Sequence, residues 1–125
     1  MGKLIYESES YVIRGACYEV HKEKGSGFWE SVYQECMEIE LRLQGIPFLA
    51  QPELELSYKG EHLESKFKPD LIVFGKIVVE LKALETLTEK HQSQVMNYLK
   101  ATGMSLGFLV NFGAHPKVDI VRIVL

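Results

Sequence analysis

Two runs of β-branched and aromatic residues, Phe67–Phe74 and Ile77–Leu81, stand only Gly75-Lys76 apart, and this arrangement constrains the fold more than any other feature of the chain. Strands this apolar are buried, and so short a separation makes them a hairpin. At 125 residues the chain has room for one compact domain, residues 1–125, and for no second one. With 46% hydrophobic and 25% charged residues it has the composition of an ordinary core former. A domain of this size buries roughly two thirds of its unfolded surface, enough to fold without disulfides or metal staples.

The flanking segments read as helices first and strands last. From about Ser8 to Lys22, Val12, Ala16 and Val20 recur at helical spacing with Tyr11 and Cys17 beside them, ending at Gly25-Ser26-Gly27. A second helix is expected from Phe28 to Gln44 on the stripe Phe28, Val32, Cys36, Ile39 and Leu43, closed by Gly45 to Pro47. Leu54, Leu56 and Tyr58 alternate with polar residues as in a half-exposed strand, followed by a Lys59-Gly60 turn. Thr86 and Glu89 are spaced as a capping box for a third helix that runs to about Thr102, with Gly103 as its terminator. Leu106–Val110 and Val118–Leu125 close the chain as strands. The order α-α-β-β-β-α-β-β describes an α/β sandwich, a mixed sheet flanked by helices.

Subtracting 17 acidic from 14 basic residues gives −3, so no global positive field draws a polyanion. Cys17 and Cys36 have no metal-type spacing and are too few for a disulfide scaffold, which points to a reducing compartment, the cytoplasm. No apolar stretch approaches the roughly 20 residues of a membrane span.

Against this background two acids are anomalous: Asp70 heads one hairpin strand and Glu80 stands near the end of the other. A buried carboxylate costs several kcal/mol unless it is paired, hydrogen-bonded or holding a cation. Lys82, two residues after Glu80, emerges on the same face of a strand. The simplest reading is an ion pair of Lys82 with either acid. The chemical reading carries a structural demand. A two-residue loop would place Asp70 and Glu80 on opposite faces, whereas an odd-numbered loop, with Gly75 left-handed, keeps them together. Glu30 heads a second stripe of the same helix, Tyr33, Met37 and Leu41, and is expected to face protein; alternatively it only complements the helix dipole. Gln94 and Tyr98 are neighbours on the third helix, either a polar fringe or part of a site, and His91 precedes them by a turn.

These residues together resemble the GxxExxY proteins of the PD-(D/E)XK nuclease superfamily. Gly27-Phe28-Trp29-Glu30-Ser31-Val32-Tyr33 is similar to the motif that names them, and Pro69-Asp70 with Glu80-Leu81-Lys82 to the nuclease core. Gln94 to Tyr98 resembles the QxxxY motif of RecB-type nucleases, and Asn111-Phe112-Gly113 with Arg122–Leu125 the characteristic ending. The resemblance implies a restriction-endonuclease-like fold. It implies that Asp70, Glu80, Glu30 and the main-chain carbonyl of Leu81 bind Mg²⁺ or Mn²⁺, that Lys82 assists catalysis, and that Gln94 and Tyr98 orient substrate or water. Lys66, Lys68 and Lys90, with Lys82, would form a basic rim for DNA, or for RNA as the alternative substrate. A chain this small is also expected to act as a homodimer or beside a protein partner. The competing functions are a noncatalytic nucleic-acid- or protein-binding module on the same fold, and a structural subunit whose acids are an ion-pair network.

Overall fold

The computed structural model describes residues 5–125. Among these residues three helices, α1 (Glu7–Lys24), α2 (Glu30–Leu43) and α3 (Glu89–Thr102), accompany seven strands. These are β1 (Phe48–Ala50), β2 (Leu54–Tyr58), β3 (Glu61–Phe67), β4 (Leu71–Val73), β5 (Ile77–Lys82), β6 (Leu106–Asn111) and β7 (Asp119–Val124). Five strands form a mixed sheet in the order β1-β4-β5-β6-β7, in which only β5 and β6 are parallel. Their connection is α3, as a parallel pair requires a crossover. Strands β2 and β3 form a separate antiparallel ribbon.

The sheet is covered on both faces, which is why β4, β5 and β6 are apolar throughout. Helices α1 and α2 bring Ile13, Ala16, Cys17, Tyr33, Met37 and Leu41 onto Leu71, Val79, Leu81, Phe108 and Val110. Helix α3 lays Val95 and Leu99 on Val78, Leu109 and Ile123. Alternation along β5 therefore turns Ile77, Val79 and Leu81 toward α1 and α2, and Val78, Glu80 and Lys82 toward α3.

The α/β sandwich matches the sequence expectation, with four local differences. The buried stripe of α2 is Tyr33, Met37 and Leu41, while Ile39 and Leu43 are exposed. Tyr33 can lie inside because its hydroxyl donates to Gly25 O and its ring stacks on Phe112 at 4.6 Å. The single strand expected over Phe67–Phe74 is two: Phe67 ends β3 in the ribbon, and the chain crosses Pro69, which has no N–H for a ladder, before β4 joins the main sheet. Strands β1 and the polar length of β3 are additional to the expected set. The cap of α3 is Thr88, reciprocated by His91 two residues beyond the expected pair. Gly103 ends that helix at φ 76° as expected.

Among the described residues both cysteines are free. Burial pushes the Cys17 thiol up to about 12, so it packs as a neutral side chain.

Candidate active site

The hairpin loop decides the placement of the two acids. Val73 pairs with Ile77, so the loop is Phe74-Gly75-Lys76, an odd number, closed by Lys76 N–H donating to Val73 O at 3.2 Å. Phe74 and Gly75 both have positive φ, at 57° and 69°. An aromatic residue rarely adopts that conformation; here Phe74 N–H donates to Pro47 O at 2.9 Å and its ring packs against the core. Leu71 pairs with Val79, and continuing this register by one residue sets Asp70 directly opposite Glu80, on one face.

The two acids are fixed reciprocally. Asp70 N–H donates to Glu80 Oε1 at 2.7 Å, and Leu81 N–H donates to Asp70 Oδ2 at 2.8 Å. The second oxygen of each, Oδ1 and Oε2, receives no N–H among the described residues. Glu80 is only 3% exposed and Asp70 is half-buried. Burial first, then the charge of Asp70, push the Glu80 carboxyl up to about 8, against the opposing pull of the Asp70 N–H and Lys82. Asp70 is raised mainly by burial, opposed by the Leu81 N–H, Lys82 and its hydrogen bonding with Glu80. The expected alternative, an ion pair with Lys82, is not formed: ion pairs among the described residues are Lys76–Glu9, Lys66–Glu55 and His62–Glu55. Lys82 acts on both acids from a distance.

Glu30 joins this field only from the rim. It opens α2 and is exposed, contrary to the expectation that it faces protein, because it stands at the open end of the stripe. Its carboxyl is nonetheless raised by partial burial and by Asp70, and lowered by Lys82. One turn on, Gln34 donates to Asp70 O at 3.0 Å and anchors α2 to the hairpin. Among the described residues no three His, Cys, Asp or Glu side chains close into a metal-binding group, so the crowd of three carboxylates expected from sequence is a pair with a third acid nearby. A pair fits a hard dication, which commonly takes one or two carboxylates and completes its shell with water and phosphate. The Leu81 carbonyl suits the same edge. A strand residue's N–H and C=O project to one side, and Leu81 N–H points at Asp70.

Helix α3 supplies the other wall. Gln94 Nε2 donates to Tyr98 Oη at 3.1 Å, and burial followed by the charge of Glu80 raises the Tyr98 hydroxyl, which places it in the field of the acids. Lys82, Lys90, His91, Gln94, Asn97 and Tyr98 line a cleft of about 520 Å³. Lys66 and Lys68 lie outside that lining; Lys66 is held by Glu55 at 3.6 Å and Lys68 is exposed. They flank Phe67, whose ring stacks on Tyr98 at 5.0 Å.

The family model described as PD-(D/E)XK nuclease superfamily matches residues 7–123. The chain belongs to the PD-(D/E)XK nuclease superfamily. Members of that superfamily generally use divalent metals and act as nucleases. The chain is also similar to a solved structure described as SSO0001, at 21% identity and a TM-score of 0.61, over 95% of this chain and 59% of that one. That likeness supports the fold, and the chain spans about 59% of that protein. No curated protein matches. No helix among the described residues is long and apolar enough to cross a membrane.

In this PD-(D/E)XK chain the strand that carries Glu80 and Lys82 is held at its exit by a residue that sequence reasoning noted without a role. Asn111 is 1% exposed; its Oδ1 accepts from Leu84 N–H at 2.9 Å and Gly113 N–H at 3.0 Å, and its Nδ2 donates to Leu84 O at 2.9 Å. Phe112 N–H donates to Lys82 O at 2.8 Å. The ends of β5 and β6 are thus zipped together just beyond the site. Asn111→Ala leaves the part-buried N–H groups of Leu84 and Gly113 unpaired and is expected to lower stability by about 1–3 kcal/mol. Urea unfolding checks this; a variant within about 0.5 kcal/mol of the parent would show that the clamp is energetically idle.

Proposed function

We propose that the chain is a metal-dependent phosphodiesterase of the GxxExxY kind, which hydrolyses nucleic acid, with DNA ahead of RNA. The observation that carries this reading is the reciprocal clamp of Asp70 and Glu80. Each carboxylate is oriented by a main-chain N–H of the other strand, and each keeps an oxygen that no N–H occupies. An ion-pair network would instead have spent those oxygens on Lys82.

Asp70 and Glu80 would hold Mg²⁺ or Mn²⁺, with the Leu81 carbonyl and Glu30 as further oxygen donors. When bound, the ion supplies positive charge to a phosphoryl oxygen and acidifies a water. Lys82 presents its ammonium on the face of Glu80 and offsets charge that develops on the phosphate. Gln94 donates to the Tyr98 oxygen, which leaves the phenolic proton to orient a phosphate or the attacking water. Lys90 and Lys82 take backbone phosphates in the cleft, with Lys68 and Lys66 at its outer margin, a local basic surface on a chain of net charge −3.

The test is incubation with plasmid, linear DNA and RNA in Mg²⁺, Mn²⁺ or EDTA. Cleavage should require metal. Lys82→Ala is expected to lower it by about 10²- to 10³-fold while calorimetric metal binding persists. Binding without cleavage, indifferent to Glu80→Ala, would return the chain to a noncatalytic module, and absence of metal binding to a structural role.

A further inference from the structure

We infer that the pocket on the α1–α2 side of the β5 exit is a nucleobase site, which takes one unpaired base of the substrate against Trp29. The inference rests on the nuclease reading and names the form of nucleic acid it acts on.

The pocket measures about 420 Å³ and lies between Ser26, Phe28 and Trp29 on one side and Leu84, Glu85 and His115 on the other. Trp29 is 83% exposed and Phe28 46%. An indole that open to water, with no ring partner among the described residues, is an unspent stacking surface. Trp29 immediately precedes Glu30, and Leu84 and Glu85 follow Lys82 by two and three residues, so each wall of the pocket continues directly in the chain from a residue of the site. The basic cleft lies on the α3 side of the same strand end. A strand whose phosphates follow the basic cleft would therefore bring a base past Trp29.

Both walls are fixed to the core before any ligand arrives. Tyr33 Oη donates to Gly25 O at 2.5 Å and accepts from Phe28 N–H at 3.3 Å, while its ring stacks on Phe112. On the other wall Asn111 holds Leu84 and Gly113, and His21 Nε2 bonds Ala114 O at 2.8 Å. A platform so held loses little freedom when a base settles on it. The Lys24 ammonium, 5.1 Å above the Phe28 ring, supplies positive charge at its edge.

The polar groups favour a base over a phosphate. The Glu85 carboxylate repels an anion but accepts from exocyclic amino groups, and Ser26 and His115 offer further bonds to a base edge. Indole stacking needs an uncovered π-face, which an interior base of a duplex lacks and a single strand, frayed end or extruded base provides. The site thus selects nucleic acid with unpaired bases at the point of cleavage.

Trp29 is the chain's single tryptophan, so its emission reports this pocket alone. A single-stranded 20-nucleotide DNA and a blunt duplex of the same sequence are titrated into the full chain in EDTA, so that nothing is cleaved. The single strand should quench the emission more than the duplex. Fluorescein anisotropy should show that Trp29→Ala weakens single-strand binding by about tenfold and collapses the preference for single strand over duplex, with Trp29→Phe intermediate and all three proteins melting alike. Emission indifferent to either DNA, with binding preference intact in Trp29→Ala, overturns the base site even where metal-dependent cleavage is observed. Quenching and a Trp29-dependent preference in a protein that never cleaves would uphold the base site and remove the nuclease reading. Emission that follows protein concentration alone, in a dimer dissolved by Trp29→Ala, overturns the proposal in favour of a second copy as occupant.

Discussion

Glu80→Gln is expected to abolish cleavage and, in the same molecule, to stabilise the metal-free fold at alkaline pH. The amide keeps the oxygen that accepts from Asp70 N–H, so the hairpin geometry survives. What it removes is a charge that the fold holds at a penalty. Loss of metal and its chemistry should lower cleavage by about 10³-fold or more. The stability effect follows from linkage. Glu80 titrates near 8 in the folded state against an ordinary value of 4.5, so between these limits the folded state holds the proton that the unfolded state has released. Stability is then full below about 4.5 and falls as pH rises toward about 8, and Asp70 adds in the same direction. In EDTA at pH 8, Glu80→Gln should gain up to about 4 kcal/mol, and its profile should be flatter. Urea unfolding across this range, with and without Mn²⁺, checks both points. Metal should restore the parent protein at high pH and do little for the variant. A parent profile that does not decline, or that Mn²⁺ leaves unmoved, would contradict a metal site built on this pair.

Gly113→Ala should be the most damaging small substitution in the molecule. A β-carbon there would stand 2.2 Å from Leu84 O and 2.6 Å from Leu84 N, against backbone that cannot rotate aside. Relief requires the two strand exits to part, which breaks the bonds of Asn111 to Leu84 and Gly113. The combined overpacking and lost bonding should cost about 3–5 kcal/mol, much of the stability of a domain this size. Gly15→Ala is the control, since nothing lies within 4 Å of its β-carbon on α1; it should stabilise by a few tenths of a kcal/mol or more. Denaturant unfolding separates the two, and a Gly113→Ala protein within about 1 kcal/mol of the parent would mean that the exits yield more easily than the contact distances imply.

The difference between what was legible in the sequence and what was not follows from range. The hairpin, the three helices and the pairing of Glu80 with Lys82 on one face depend on spacing within a few residues, and spacing is written in the chain. Whether Asp70 faces Glu80 turned on one residue of loop length; composition suggested a left-handed Gly75 but did not exclude the two-residue turn. Helix α2 carries two apolar stripes, and the choice between them rests on Phe112, far along the chain, which receives the Tyr33 ring. Strand β3 was invisible because six of its seven residues are exposed and no periodicity results. Gln34 and Asn111 could not be singled out as positioning residues, since their partners lie 36 and 27 positions away. A polar residue in the middle of an apolar stripe, as Gln34 is beside Tyr33 and Met37, is the one signal that could have drawn attention to it.

The β2–β3 ribbon has a single buried side chain, Phe67, and otherwise stands on its own cross-strand bonds. Its tip, Lys59-Gly60, is exposed and wholly in left-handed conformation, at φ 49° and 83°. Nothing in the packing of β4, β5 and β6 depends on how long that ribbon is. Insertions at the tip would therefore leave the geometry of the proposed site undisturbed, which makes it the natural place in this architecture for a lineage to graft new recognition elements beside an unchanged site.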